Sequence, residues 1–395
     1  MKKRIASCLL AALGLVLPGM LAAKPAATAD WAAVSREARG QTVYFNAWGG
    51  SEAINAYIAW AAAEARKRYG LRVEHVKTGD TADVVRRIQL EMSRKHDGSV
   101  DLLWVNGENF KTLKDGGLLF GPWAEQLPSW RHVDLQKPVR VDFSEPTAGL
   151  EAPWGTAQLT FIADRQRVSA PPRSAAEWLA FARANPGRLS YPRPPDFHGT
   201  TFLKQLLLEL TPDAAILARP VNEAAFARAT APLWAYLDQL HPLQWQQGRA
   251  FPPSAAEMHR MLADGELRLS LTFNPNEAAN LIAAGQLPAS SYSFGFRKGT
   301  IGNVHFLAIP GNARASAGAR VFANFLLSPE AQARKADIAV WGDPSVLTAA
   351  ALAGHAKAAT AAPGALREAV PTLPEPHASW VGALEREWLK RYGTR

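Results

Sequence analysis

Between Val43 and Gly117 the chain repeats one unit three times: a short apolar run, a polar or glycine-containing turn, then an amphipathic stretch at helical spacing. Val43, Tyr44, Phe45, Asn46, Ala47 and Trp48 hand over through Gly49, Gly50 and Ser51 to a helix with Ile54, Ile58 and Ala65 on one face, stopped at Tyr69-Gly70. Residues 71–76 read as the next strand, 77–83 turn, and Val84, Val85, Ile88 and Met92 mark a second helix. Residues 99–106 are apolar enough for a strand buried on both faces, and they exit through Gly107, Glu108, Asn109 and Phe110 into a third helix. Strand–helix alternation of this kind predicts a parallel, doubly wound sheet. Ligands of such sheets sit outside the carboxyl ends of the strands, where helix N-termini offer unpaired amides. Asn46 and Trp48 are therefore ligand-facing candidates, although a tight Gly-Gly turn, a capping Ser51 and a packing tryptophan suit the same residues.

The first residues set the compartment. Met1, Lys2, Lys3 and Arg4 precede an uncharged, mostly apolar run ending in Ala22-Ala23, the pattern of a signal peptide over 1–23, so the mature protein is expected in the periplasm. Cys8, the only cysteine, would leave with it, which excludes disulfides and thiolate metal sites. The remaining chain exceeds one comfortable core, so two domains are expected. The formal charge of +9 falls to +6 once Lys2, Lys3 and Arg4 are removed, and the excess is scattered. No basic block or aromatic-interleaved stripe suggests nucleic acid.

Downstream, 151–164 carry Pro153, Trp154, Gly155, Thr156, Gln158 and then an alternating strand, a plausible crossing segment. Residues 189–201 repeat the opening theme, with a strand through Tyr191, a proline loop holding Asp196 and His198, and a helix from Phe202. Residues 265–275 form a strand that exits at Asn274, and 299–310 read as a second crossing strand. Asp196 and His198 suit a helix cap and a loop as well as a ligand.

The order of these parts, closing on Asn324-Phe325-Leu326-Leu327-Ser328-Pro329-Glu330-Ala331-Gln332, resembles the periplasmic solute-binding proteins of ABC importers, the two-lobed flytrap class that includes thiamine, polyamine, iron and maltodextrin binders. More narrowly, Phe45 to Gly50, Trp104 to Phe110, Pro153 to Gln158 and Trp341-Gly342-Asp343 look like the YnjB-type subgroup of extracellular solute-binding family 1-like proteins. The resemblance implies an α/β fold of two lobes, each a doubly wound, mostly parallel sheet, with a hinge between them. Lobe one would comprise 41–150 plus 301–343, the hinge and lobe two 151–300, and 344–395 a C-terminal helical segment packed on the lobes. It also implies capture of a small-molecule solute by a monomer and delivery to a cognate ABC permease and ATPase, without cofactor, metal or catalytic residue. Asn46, Trp48, Asp80, Asn106, Glu108, Trp154, Thr156, Gln158, Tyr191, Asp196, His198 and Asn274 would line the cleft.

The competing classes are an exported cleft enzyme and a ligand-binding receptor accessory. The chain has no Gly-x-Ser-x-Gly elbow, Walker loop, Gly-x-Gly-x-x-Gly or His-Glu-x-x-His. Converging carboxylates such as Asp80, Glu108 and Asp196 are what an acid/base hydrolase would use.

Overall fold

The computed structural model describes residues 30–355 and 362–393, so the expected signal peptide lies outside the described residues. After α1 (Trp31–Ala38) come β1 (Thr42–Trp48), α2 (Glu52–Tyr69), β2 (Arg72–Thr78), α3 (Thr81–Ser93), β3 (Leu102–Val105) and α4 (Gly107–Asp115). Ser51 Oγ accepts the Ile54 N–H to start α2, and Gly70, at φ 65°, ends it in a conformation that L side chains resist. β1 runs parallel to β2, from Thr42 opposite Arg72 to Trp48 opposite Thr78, and parallel to β3 on its other side. The carboxyl ends of these three strands therefore share one edge.

A small hairpin, β4 (Val141–Asp142) and β5 (Glu145–Pro146), follows, its tip formed by Phe143 and Ser144 at φ 43° and 64°. β6 (Glu151–Gln158) and β7 (Thr160–Asp164) then form one nearly continuous path through Leu159. The chain goes on through α5 (Ala175–Ala184), α6 (Phe197–Leu210), α7 (Glu223–Leu240), α8 (Ala255–Ala263), β8 (Leu269–Thr272), α9 (Glu277–Ala283) and β9 (Ser291–Phe294). It returns by β10 (Thr300–Ala308) and ends with α10 (Ser316–Leu326), α11 (Pro329–Ala336), α12 (Ala349–Leu352), β11 (Thr372–Leu373) and α13 (Ser379–Tyr392).

The first sheet has the order β11-β10-β3-β1-β2, with β6 antiparallel to β10 from Gly302 opposite Gln158 to Ala308 opposite Glu151. The second has the order β8-β7-β9, and here the structure departs from the expected parallel sheet: β7 is antiparallel to both neighbours. β7 enters directly from β6, against the direction of β8 and β9, and inserts between them. Nor do residues 189–191 form the expected strand: Leu189 O accepts the Trp245 N–H, and Pro192, Pro194 and Pro195 of the expected proline loop have no N–H to extend a ladder.

Each sheet has its own core. Phe45, Tyr57, Trp154, Phe322 and Trp341 pack together around the first, and Phe161, Trp178, Tyr191, Phe202 and Leu237 around the second. α13 contributes Trp380, Leu384, Trp388 and Tyr392 to that second core. The result is a two-lobed α/β fold. Between the lobes, β6–β7 and β10 run side by side, with the Leu159 N–H donating to Ile301 O at 2.8 Å.

Candidate functional site

The shared edge of β1, β2 and β3 brings Trp48, Asp80, Asn106 and Glu108 to one side of the first lobe. Trp48 is 37% exposed, and its indole lies over Gly50, where any Cβ would collide with the ring. Gly50 is thus required by the tryptophan, while Gly49 packs against the Lys77 side chain. Asp80 caps α3 by accepting the Ala82 N–H at 2.8 Å. Asn106 occupies the cap position of α4 but makes no capping bond, and Asn46 is buried, its Nδ2 bonded to Tyr44 O at 3.4 Å.

Glu108 lies in the first turn of α4, its Oε1 accepting from Asn109 Nδ2 at 3.0 Å. Burial pushes its carboxyl up to about 7; its own amide and Lys204 oppose the shift, while Glu385 and Glu375 add to it. Beside it, the Gly107 N–H donates to Asp142 Oδ2 at 2.7 Å, and Phe143 packs so closely on Gly107 that a Cβ there would sit 2.7 Å from the ring. Burial also raises Asp142 well above the usual carboxylate range, with Glu108 and Glu375 adding to it.

The facing wall comes from α6, α13 and the chain before α13. Asp196 caps α6, accepting from the His198 and Gly199 N–H groups, and Phe197 is 37% exposed. Thr200 Oγ1 donates to Glu385 Oε1 at 2.8 Å, and burial raises the Glu385 carboxyl. The Lys204 ammonium pairs with Glu375 Oε2 at 2.7 Å and lies 4.4 Å over the Phe143 ring, while Asn303 Nδ2 donates to Glu375 Oε1 at 2.9 Å. The mutual influence of Glu108, Glu375, Glu385 and Lys204 places both walls within electrostatic reach of one another.

Other expected site residues are spent elsewhere. Trp154 is wholly buried, with ring neighbours Phe45, Trp104, His305 and Trp341, and Tyr191 is wholly buried, its hydroxyl shared between His241 and Trp388. Both have core positions, closed off from the cleft by the rings packed around them. Thr156 donates to Pro344 O, Gln158 Nε2 to Val370 O and Pro371 O, and Asn274 Nδ2 to Trp341 O and Glu277. These three tie the crossing segments together. Below them, buried Asp343 accepts from His305 Nε2 and from Lys335; burial would raise this carboxyl, yet those two neighbours hold it below its usual range.

The sequence reading missed Lys204, Asp142, Phe143, Asn303, Glu375 and Glu385. Only Lys204 left a signal, the one charge in the mostly apolar stretch Phe202-Leu203-Lys204-Gln205-Leu206-Leu207. Among the described residues no cluster of His, Cys, Asp and Glu is placed to hold a metal ion, and no helix is long and apolar enough to cross a membrane.

A sheet edge facing a second lobe, with polar side chains meeting between them, is the arrangement of a solute-binding protein. The profile described as bacterial extracellular solute-binding protein matches residues 60–364, and the chain belongs to that family, the solute-capturing components of ABC transporters. It is 58% identical to Protein YnjB of Escherichia coli strain K12 over 376 residues, 92% of this chain and 94% of that protein. Among solved structures it is similar to the Tp0655 (TpPotD) lipoprotein of Treponema pallidum, with a TM-score of 0.66 and 15% identity over 89% of this chain and 99% of that one. It is also similar to the periplasmic binding protein AfuA of Actinobacillus pleuropneumoniae, whose structure holds fructose-6-phosphate, with a TM-score of 0.63 and 14% identity over 90% of this chain and all of that one. At such identities the structural likeness concerns the fold.

Proposed function

We propose that the protein is exported by its N-terminal signal peptide, acts as a monomer in the periplasm, and captures a small organic solute between its lobes for a membrane permease driven by a separate ATPase. Lobe one is taken as 41–150 plus 301–343, with 151–300 as hinge and lobe two. Capture is the chemistry this reading assigns, because the polar groups of the cleft are suited to orienting a ligand. The observation that carries this reading is the contact of α4, at the first lobe's sheet edge, with α13 of the second lobe, which brings Glu108 within electrostatic reach of Glu385, itself bonded to Thr200. Trp48, Asp80, Asn106, Asp196 and His198 complete the proposed lining around them.

A neutral or cationic solute with a flat or apolar face fits best, because Trp48 and Phe197 offer open rings and the one lysine at the junction, Lys204, is already paired. A thermal-shift screen of sugars, amines, amino acids and phosphate esters tests it. A solute at 100 times its dissociation constant adds about 2.7 kcal/mol of stability. Stabilisation by anions alone would contradict the preference, and stabilisation by none of the four classes would count against solute capture.

A further inference from the structure

We propose that Glu108 and Glu385 form a cation-reading pair across the lobe boundary, and that a hydrogen-bond-donating cationic group of the solute, an ammonium or amidinium, sits between them and draws the lobes together. This rests on the solute-capture reading above and names the solute class. Glu108 starts α4 in the first lobe and Glu385 lies on α13 in the second, and the two helices touch. Closing the lobes therefore carries one carboxyl toward another. Glu375 adds to the negative charge facing Glu108, and Asp80 to that facing Glu385; the cations in reach are Lys204, held by Glu375, and Arg386 beside Glu385.

A second observation is independent of charge. Asn303 Oδ1 belongs to a side chain more than nine-tenths buried and has no hydrogen-bond partner, while its amide nitrogen goes to Glu375. That unmet atom is an acceptor, and a buried acceptor left unpaired is costly, so the group that completes the site brings an N–H donor. The molecule already shows how an ammonium is held here: Lys204 Nζ lies 2.7 Å from Glu375 and over the rings of Phe143 and Phe197 at 4.4 and 5.8 Å.

A proton is the cation's substitute. The Glu108 carboxyl, at about 7 in the assembled junction against an ordinary 4.5, binds a proton there that it does not bind in water. Acid should therefore favour closure of the empty protein, and a bound ammonium should do the same at neutral pH.

The test uses the full chain. Small-angle scattering without solute, at constant ionic strength from about pH 5.5 to about pH 8.5, should show the radius of gyration falling as pH drops through about 7. The Glu108→Gln/Glu385→Gln protein should stay compact throughout. In parallel, n-butylammonium chloride should raise the melting temperature of the unaltered protein and leave that of the double variant unmoved, while sodium butyrate and 1-butanol move neither. A radius independent of pH, no shift with n-butylammonium, or a shift that survives in the double variant each overturns the pairing. The solute-capture reading fails separately. A sugar that compacts the unaltered and double-variant proteins alike would sustain capture and sink the cation pair, whereas the solute-free scattering judges the pair even if no solute binds.

Discussion

The Lys204 ammonium and the Glu375 carboxylate meet at 2.7 Å, 171 positions apart in the chain, with both side chains 2% exposed. A buried pair of this kind adds little net stability, but losing one member strands a charge away from water. Glu375→Ala should therefore cost about 3–5 kcal/mol in urea denaturation, while Lys204→Met/Glu375→Leu should stay within about 1–2 kcal/mol of the unaltered protein. Equal losses in the two proteins would mean that the pair contributes through packing.

That pair also marks the limit of what could be read from the sequence. Local periodicity was enough for β1 to α4, because each strand exit and helix stop is written in neighbouring residues such as Ser51, Gly70 and Asp80. It failed at β7, whose antiparallel place depends on residues 269–294, and at 189–191, where no strand forms before the proline loop. In the candidate site, Glu108, Asp80 and Trp48 were legible as strand-exit residues. Glu375, Glu385 and Asn303 were not, since each acquires its role from a partner more than seventy positions away.

Gly155 lies where β6 passes the buried Asp343, and a Cβ there would overlap Asp343 Oδ2 and His305 Nε2 and sit 2.6 Å from Lys335 Nζ. None of these atoms can retreat without breaking the pairing that holds the Asp343 carboxylate ionised. Gly155→Ala should destabilise the protein by about 1–3 kcal/mol, the range for overpacking, measured by thermal or urea unfolding. A variant as stable as the original would mean that β6 can shift freely relative to Asp343.

His259 gives a pH signature. Burial lowers its imidazole to about 3, with the charge of His198 adding to the effect, and its Nδ1 lies 2.8 Å from Ser270 Oγ. An unfolded histidine titrates near 6.5, so between about 6.5 and about 3 the unfolded chain binds the extra proton and stability falls as pH drops. Glu108 acts in the opposite sense: its raised value stabilises the folded form below about 4.5, and that contribution is lost as pH rises through about 7. His259→Gln should thus lose less stability than the original between about pH 7 and about pH 5, read from urea midpoints at each pH. Parallel midpoint curves for the two proteins would show that His259 titrates normally.

Trp48 and Trp154 separate ligand contact from core. Trp154 is wholly buried, with ring centroids of Trp104 and Trp341 at 5.1 and 5.3 Å, and truncating such a residue leaves a cavity that its neighbours cannot fill. Trp154→Ala should cost about 3–5 kcal/mol and reduce solute binding only through loss of folded protein. Trp48 is 37% exposed, so Trp48→Ala should change stability by less than about 1 kcal/mol. Its effect belongs in binding, because the indole is the largest open apolar surface at the strand edge and bound aromatics supply contact area more than orientation. Once a solute is found by thermal shift, titration calorimetry should give a dissociation constant for Trp48→Ala at least about tenfold weaker, equivalent to about 1.4 kcal/mol. If Trp48→Ala instead unfolds the solute-free protein, its ring is held by packing over Gly50 and the strand edge must be lined by other residues.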